Sequence, residues 1–287
     1  DPFLLPSGVL HNLFWSKALG SDLAIIEGNR GLYDGKDIHG TCSSAELAKM
    51  LSCPVVVVAD CTKVTRTMAA IILGLTAFDP LVDIRGVILN RTAGCRHQNI
   101  LRQSIESYTN VKVLGVLPKL TENPIPERHM GLISDAEYAC DPFAQIASFL
   151  RTHADLDACL EVARSAPSET GSCSPLYPDS AAGPGVRVGV ARDAALWFYY
   201  QENFEALRHA GAELVEFSLL DDPELPDVDA VYMGGGFPET LARGLADNAS
   251  MRESVREGVL KGLPVYAECG GLLCPSKELD YEGPCYR

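Results

Sequence analysis

Residues 54–78 read PVVVVADCTKVTRTMAAIILGLTAF, a continuous apolar run followed by a longer stretch with helical spacing. A strand that is apolar at successive positions, rather than at alternate ones, is buried on both faces, as in a parallel sheet covered by helices. The run 54–60 therefore predicts a strand and residues 65–78 a helix.

The same alternation continues on both sides of this stretch. Strands are predicted at 22–27, 85–90 and 111–118, and helices at 43–51, with Ser43 or Ser44 as N-cap, and at 96–108. A last helix, over 141–163, is predicted to break near His153.

A second series of strands and helices follows a stretch rich in Ser, Pro and Gly. Strands are predicted at 186–192, 212–217, 229–236 and 264–268, and helices at 198–211, 238–246 and 250–262. We therefore predict an α/β protein with two doubly wound parallel-sheet domains, at residues 1–164 and 186–287, joined by a linker at 165–185.

Composition narrows the class of protein. The net charge of −14 argues against a nucleic-acid or anionic-membrane surface, since such surfaces need an excess of Lys and Arg. We expect no membrane span and no secretory leader, and ten irregularly spaced cysteines favour reduced thiols in a cytoplasmic protein.

The stretch LPVYAECGGLLCPS, residues 263–276, brings a predicted strand directly onto Cys269 and then onto two glycines. A thiol on a sharp turn at the carboxyl end of a strand is placed where α/β folds bind ligands, and nearby amides can stabilise an oxyanion. A buried cysteine beside a glycine turn is the alternative interpretation.

The stretch MGGGFPE, residues 233–239, also follows a strand, so its amides are expected at the same sheet edge. Together the two stretches resemble the class I glutamine amidotransferase domain, in the form found in the cobyrinate a,c-diamide synthase family. The resemblance implies that Cys269 is the nucleophile that attacks glutamine, and that Gly235 and Gly270 supply oxyanion amides.

The first half contains IIEGNRGLYDG (25–35), PVVVVAD, GVILNR and PERHMGL (126–132) in that order. Taken alone, Glu27 is either a carboxylate for Mg²⁺ or part of a polar loop. The ordered series resembles the ATP-dependent synthetase domain of the same family, a P-loop NTPase-like domain similar to dethiobiotin synthetase.

This second resemblance implies a role for several residues. Glu27 would bind Mg²⁺, and ATP would lie against Asp60, Asn90 and Pro118. The tetrapyrrole substrate would contact Tyr33, Asp34, Glu127, Arg128 and His129, although His129 is also readily explained as a hydrogen-bonded loop residue.

Two motifs of the family are missing from the sequence. None of the six histidines follows Cys269, and no GxxxxGK[ST] phosphate loop occurs. The expectation is therefore a chain truncated at both ends, lacking its P-loop strand and its activating histidine, and by itself inactive.

The resulting hypothesis is a glutamine-hydrolysing, ATP-consuming amide ligase that acts on the a and c acetates of cobyrinic acid in cobalamin biosynthesis. The expected partners are glutamine and a tetrapyrrole polycarboxylate, with a homodimer left open. The alternatives are the same chemistry on hydrogenobyrinic acid or a nickel-sirohydrochlorin, cobyric acid synthesis, or a noncatalytic nucleotide-binding protein with an inert second domain.

Overall fold

The computed structural model describes residues 2–121, 142–167, 176–177, 185–276, 278–280 and 285–286. These residues form two compact units, the first reaching Leu176 and the second beginning at Tyr177. The division between the units falls inside the Ser-, Pro- and Gly-rich stretch.

In its described residues, the first unit alternates helices with three strands. Its elements are α1 (Ser7–Ala18), α2 (Ser44–Leu51), β1 (Val55–Asp60), α3 (Thr67–Phe78), β2 (Ile84–Thr92), α4 (Cys95–Tyr108), β3 (Lys112–Pro118), α5 (Pro142–His153) and α6 (Leu156–Arg164).

The three strands form a parallel sheet in the order β1-β2-β3. Helices α3 and α4 make the crossovers between the strands. Ile72 of α3 and Leu101 of α4 pack in one core with alternate residues of β2, Val87 and Leu89, and all four side chains are fully buried. Because the strands are parallel and sequential, their carboxyl ends meet at one edge of the sheet.

The predicted strand at 22–27 is wrong. These residues form no strand, and Leu23, Ile25 and Ile26 are exposed by 43%, 83% and 40%. Apolar composition alone cannot make a strand, because a strand also needs a neighbour that pairs with its backbone, and β1 pairs only with β2 within the described residues.

Two local predictions of the first unit are confirmed. Ser43 is the N-cap of α2, and its hydroxyl accepts the N–H of Glu46. The long C-terminal helix is broken after His153, where Asp155 donates its N–H to the carbonyl of Leu114 and caps α6 through its carboxylate.

The regular secondary structure of the second unit begins after Gly185. Its elements are β4 (Val186–Ala191), β5 (Leu196–Phe198), α7 (Gln201–His209), β6 (Ala212–Phe217), β7 (Ala230–Met233), β8 (Gly235–Gly236), α8 (Ala242–Asp247), α9 (Ala249–Leu260), β9 (Val265–Ala267), β10 (Leu279–Asp280) and β11 (Cys285–Tyr286), with short 3₁₀ turns at Pro238–Leu241 and Cys269–Leu272.

The main sheet of this unit is parallel, with the order β6-β4-β7-β9. Successive residues of β7 belong to different cores, since Val231 and Met233 pack on one face and Tyr232 on the other. The sheet is thus covered on both faces, and the predicted class of two α/β parallel-sheet domains is confirmed.

No helix in the described parts of the chain combines the length and the apolar character needed to cross a bilayer.

Candidate functional site

The cysteine turn, residues 268–272, follows β9 directly. Glu268 is still extended, and Cys269 then adopts a φ of 50°, in the left-handed region that residues with a side chain rarely enter. The Cys269 thiol is free and exposed. A strained residue that presents an exposed thiol at the carboxyl end of a parallel strand is typical of a functional position.

The glycine loop, residues 234–236, follows the neighbouring strand β7. All three glycines are buried, and Gly235 and Gly236 pair antiparallel with β5. Gly236 has a φ of 157°, and a Cβ there would lie 2.0 Å from the carbonyl oxygen of Ala195. Only glycine fits this backbone, because β5 leaves no room for a side chain.

The cysteine turn and the glycine loop are in direct backbone contact. Gly271 donates its N–H to the carbonyl of Gly234 at 2.9 Å, and Glu268 donates to the carbonyl of Met233 at 3.0 Å. A Cβ on Gly270 would lie 2.2 Å from the oxygen of Gly236. The structure therefore brings together the two segments that hold Cys269, Gly235 and Gly270.

A second thiol in this unit has a different character. Cys274 lies five residues beyond Cys269 and packs against the core around Met233. Burial, reinforced by the carboxylates of Asp193 and Glu239, raises the pKa of the Cys274 thiol to about 12. Since the thiolate is the reactive form, burial makes Cys274 a poor nucleophile.

The carboxylate of Glu268 is held on the opposite side of β9 from the core that contains Met233. It accepts hydrogen bonds from the hydroxyls of Tyr232 and, at 3.4 Å, of Tyr266, while Asn203 donates to Tyr232. Burial and the Glu268 carboxylate raise the pKa of Tyr232 to about 12, so this tyrosine stays protonated as a donor. Sequence reasoning did not find this network.

Asp193 anchors the segment that pairs with the glycine loop. Its Oδ1 accepts the N–H groups of Ala195 and Leu196, and its Oδ2 accepts from the Ser218 hydroxyl and the Leu220 N–H. This aspartate was also missed, because the residues that it joins are far apart in sequence.

In the first unit, Asp60, Asn90 and Pro118 lie at the carboxyl ends of β1, β2 and β3. Asp60 and Asn90 are register partners, and Pro118 pairs with Thr92. The structure thus brings the three predicted ATP-binding residues to one sheet edge, the usual ligand edge of such folds.

Asp60 is well suited to remain ionised. Its carboxylate accepts the N–H of Thr62 at 2.8 Å and lies 3.3 Å from the Arg91 guanidinium. The hydrogen bond with Thr62, and the charge of Arg91 after it, lower the pKa of Asp60. Arg91 itself has a φ of 56°, so the end of β2 is another strained position.

The loop with Glu27, Tyr33 and Asp34 is mostly exposed. Tyr33 donates its hydroxyl to the carbonyl of Leu75 at 2.6 Å, and Asp34 accepts the N–H of Gly31 at 3.1 Å. The Tyr33 hydroxyl thus already has a partner inside the unit, whereas the Glu27 carboxylate is exposed. Glu127, Arg128 and His129 lie outside the described residues.

The exposed carboxylates of the first unit meet the ligand requirements of some metal ions and not of others. In the described ranges, no three His, Cys, Asp or Glu side chains gather as they would around an all-protein metal centre. Single exposed carboxylates such as Glu27 fit Mg²⁺, which keeps several waters and takes phosphate oxygens as further ligands.

Comparison with known proteins agrees with this geometry. Residues 187–283 match the family model of the CobB/CobQ-like glutamine amidotransferase domain, and residues 10–123 match that of an AAA domain. The cysteine turn and the glycine loop both lie inside the first match.

The similarity to individual proteins extends along nearly the whole chain. The cobyrinate a,c-diamide synthase of Listeria innocua is 41% identical over 290 residues, which cover 100% of this chain and 64% of that protein. The chain is a homologue of the cobyrinate a,c-diamide synthases. The Methanosarcina acetivorans synthase is 44% identical over 88% of this chain and 53% of its own length, and the Salmonella typhimurium synthase 38% over 99% and 62%.

The resemblance predicted from the sequence is thereby confirmed. The chain spans between about half and two thirds of the length of these synthases. No solved structure matches the chain significantly.

Proposed function

We propose that this protein is a glutamine-dependent, ATP-driven amide synthase that converts the a and c acetate carboxylates of cobyrinic acid to amides. One observation carries the proposal. An exposed thiol, Cys269, stands on a left-handed turn whose backbone touches the buried glycine loop. The similarity to the cobyrinate a,c-diamide synthases supports the substrate.

In the second unit, the Cys269 sulfur attacks the side-chain amide carbon of glutamine as a thiolate. The carbonyl π electrons move to oxygen, and the amides of Gly235 and Gly270 are proposed to stabilise that oxyanion. The carbon–nitrogen bond then breaks, and the nitrogen takes up a proton and leaves as ammonia. Water hydrolyses the thioester to glutamate and restores the thiol.

The glycine loop suits this role because its geometry is already set. The backbone is closely packed at both positions, because a Cβ on Gly236 would lie 2.0 Å from the Ala195 oxygen and one on Gly270 2.2 Å from the Gly236 oxygen. Preorganised donors need no rearrangement when charge develops on the substrate, which is the main source of their catalytic effect.

In the first unit, we propose that ATP lies along the edge formed by Asp60, Asn90 and Pro118. A carboxylate oxygen of the substrate attacks the γ-phosphorus, and ADP leaves. Ammonia then attacks the activated carbonyl carbon, phosphate departs, and the nitrogen loses a proton to give the amide. Bound Mg²⁺ would shield the phosphate charge, with Glu27 as its protein ligand.

Two sites are needed because neither reactant is competent alone. A carboxylate is a poor acyl donor until one oxygen becomes a leaving group, and free ammonia is scarce and mostly protonated at neutral pH. We therefore propose that the second unit generates the ammonia that the first unit consumes.

The test uses the complete open reading frame that encodes this chain. It is incubated with ATP, Mg²⁺, glutamine and cobyrinic acid, and the tetrapyrrole is followed by mass spectrometry. We expect two successive carboxylate-to-amide shifts that need both ATP and glutamine. Cys269→Ser should abolish glutamine-driven amidation but retain amidation driven by added ammonium salt.

The outcomes separate the alternatives. Turnover of hydrogenobyrinic acid or a nickel-sirohydrochlorin, with none of cobyrinic acid, would keep the mechanism and replace the substrate. No turnover of any tetrapyrrole, together with no labelling of Cys269 by the glutamine analogue diazo-oxo-norleucine, would favour a noncatalytic nucleotide-binding protein.

The metal ligand has its own test. Glu27→Gln should abolish ATP-dependent synthesis and leave basal glutamine hydrolysis intact. Unchanged synthesis would remove Glu27 from the metal site.

A further inference from the structure

Tyr199 follows β5 and connects two strand ends of the second unit. Its hydroxyl donates to the carbonyl of Ala191, at the end of β4, and accepts the N–H of Gly234 at 2.9 Å. Because a hydroxyl has one proton and two lone pairs, both bonds form at once. Burial raises the pKa of Tyr199 well above its ordinary value, so the donor proton is retained.

Both backbone groups of Gly234, its N–H and its carbonyl, are hydrogen-bonded. Its N–H goes to Tyr199, and its carbonyl accepts the N–H of Gly271 in the cysteine turn at 2.9 Å. A Cβ on Gly234 would lie 2.3 Å from Tyr199 Cε1, so the ring occupies the space of a side chain. One glycine thus joins the tyrosine to the turn that holds the thiol.

The Tyr199 ring is itself fixed by neighbouring aromatic side chains. It meets Tyr232 edge to face, with ring centroids 5.2 Å apart, and lies 5.1 Å from the Phe204 ring. Since Phe204 and Tyr232 are almost fully buried, the hydroxyl is presented from a rigid base.

We propose that Tyr199 is a positioning residue for the oxyanion amides of this site. Its hydroxyl holds the Met233–Gly234 peptide through the Gly234 N–H, while the N–H of Gly271 holds the carbonyl of the Gly234–Gly235 peptide. The two contacts together align the N–H of Gly235 with the N–H of Gly270. This inference rests on the proposed glutamine chemistry at Cys269 and deepens it. Tyr199 acts through Gly234 and makes no contact with glutamine in this role.

Removing the hydroxyl leaves a buried N–H and a strand-end carbonyl without their partner. A buried unpaired donor is unfavourable, so the loop shifts or admits water, and the donors lose their alignment. Loss of one oxyanion donor lowers kcat by about 10²–10³-fold, so a misaligned donor should lower it by about 10–100-fold. The KM for glutamine should change little.

The test is Tyr199→Phe in the complete open reading frame, with Tyr177→Phe as the matched control. Tyr177 also donates its hydroxyl to a backbone carbonyl, that of Glu202, in the same unit. Steady-state glutamine hydrolysis gives kcat and KM for both variants. We expect the fall in kcat for Tyr199→Phe alone.

A second readout separates positioning from general loosening. Iodoacetamide alkylates Cys269 by forming a carbon–sulfur bond as iodide leaves, a reaction that needs no oxyanion. Its rate should be the same in Tyr199→Phe and in the unmodified protein. Hydrogen exchange of the Gly234 amide is measured by NMR in the unmodified protein, so this test does not depend on the folding of the variant. The exchange should be slow, because the Gly234 N–H is bonded to Tyr199.

The contrary results are specific. Unchanged kcat in Tyr199→Phe, an alkylation rate that falls with kcat, or a fast-exchanging Gly234 amide would each overturn the inference while leaving Cys269 as nucleophile. Glutamine hydrolysis that survives Cys269→Ser would overturn the proposed function and this inference with it.

Discussion

Substituting Gly270 by alanine isolates the contact between the cysteine turn and the glycine loop. Alanine keeps the N–H of residue 270, and Gly270 lies outside the left-handed region, so its backbone conformation is open to alanine. The effect of the substitution should therefore come only from the added methyl group.

The magnitude follows from the distances. The new Cβ would lie 2.2 Å from the Gly236 oxygen and 2.8 Å from Pro238 Cδ, whereas ordinary contact begins at 3.4 Å. Because both neighbours are parts of a constrained backbone, the two segments must separate by about 1 Å. A displacement of about 1 Å at a catalytic centre lowers the rate about 10²-fold, equivalent to about 2.7 kcal/mol.

The assay is glutamine hydrolysis by the complete protein, with Gly185→Ala as control. A Cβ on Gly185 meets no atom within 4 Å, so that variant should behave like the unmodified protein. Urea unfolding should show Gly270→Ala to be less stable by about 1–3 kcal/mol, the usual range for overpacking. A Gly270→Ala protein with unchanged kcat and stability would refute the contact as described.

Three further predictions concern other parts of the chain. At about pH 8, iodoacetamide should label the exposed Cys269 and Cys95 before Cys61 and Cys274, whose thiol pKa values burial raises to about 11 and about 12; peptide mapping by mass spectrometry checks the order. Gly74→Ala, at an exposed position inside α3 where a Cβ meets nothing, should stabilise the protein by about 0.5–1 kcal/mol in urea unfolding; no gain would mean that this part of α3 is not helical. Asp79 accepts a hydrogen bond from Lys49, which holds the pKa of the carboxyl below its ordinary 3.8, so its stabilising effect should be full above that pH and vanish as pH falls through the lowered value. Urea midpoints of the unmodified protein and Asp79→Asn should thus converge in acid; a constant difference would contradict the ion pair.

Much of the fold was predictable because the strands carry their signal locally. The valines of β1 and the capping serine of α2 are readable from a few neighbouring residues, and both were predicted correctly. The failure at 22–27 has the opposite cause, since those residues are mostly apolar, as in a buried strand, but pair with no strand among the described residues.

The candidate site was predictable in part. Cys269 and the two glycines that follow it were singled out because a strand that ends on a turn of small residues is visible in the sequence itself. Asp193, Tyr199 and the network around Glu268 were not found, since most of their hydrogen bonds join residues that are 25 or more positions apart in the sequence.

The sequence by itself determined the α/β class, the order of the strands along the chain and the turn that carries the thiol, because these depend on apolar runs and on glycines close together in the chain. Tertiary structure alone decided that β7 lies beside β9, so that Gly234 meets Gly271, and that Tyr199 reaches Gly234 from 35 residues away. Such contacts depend on strand order and on the exclusion of side chains between backbones, and neither is encoded within any single stretch of sequence.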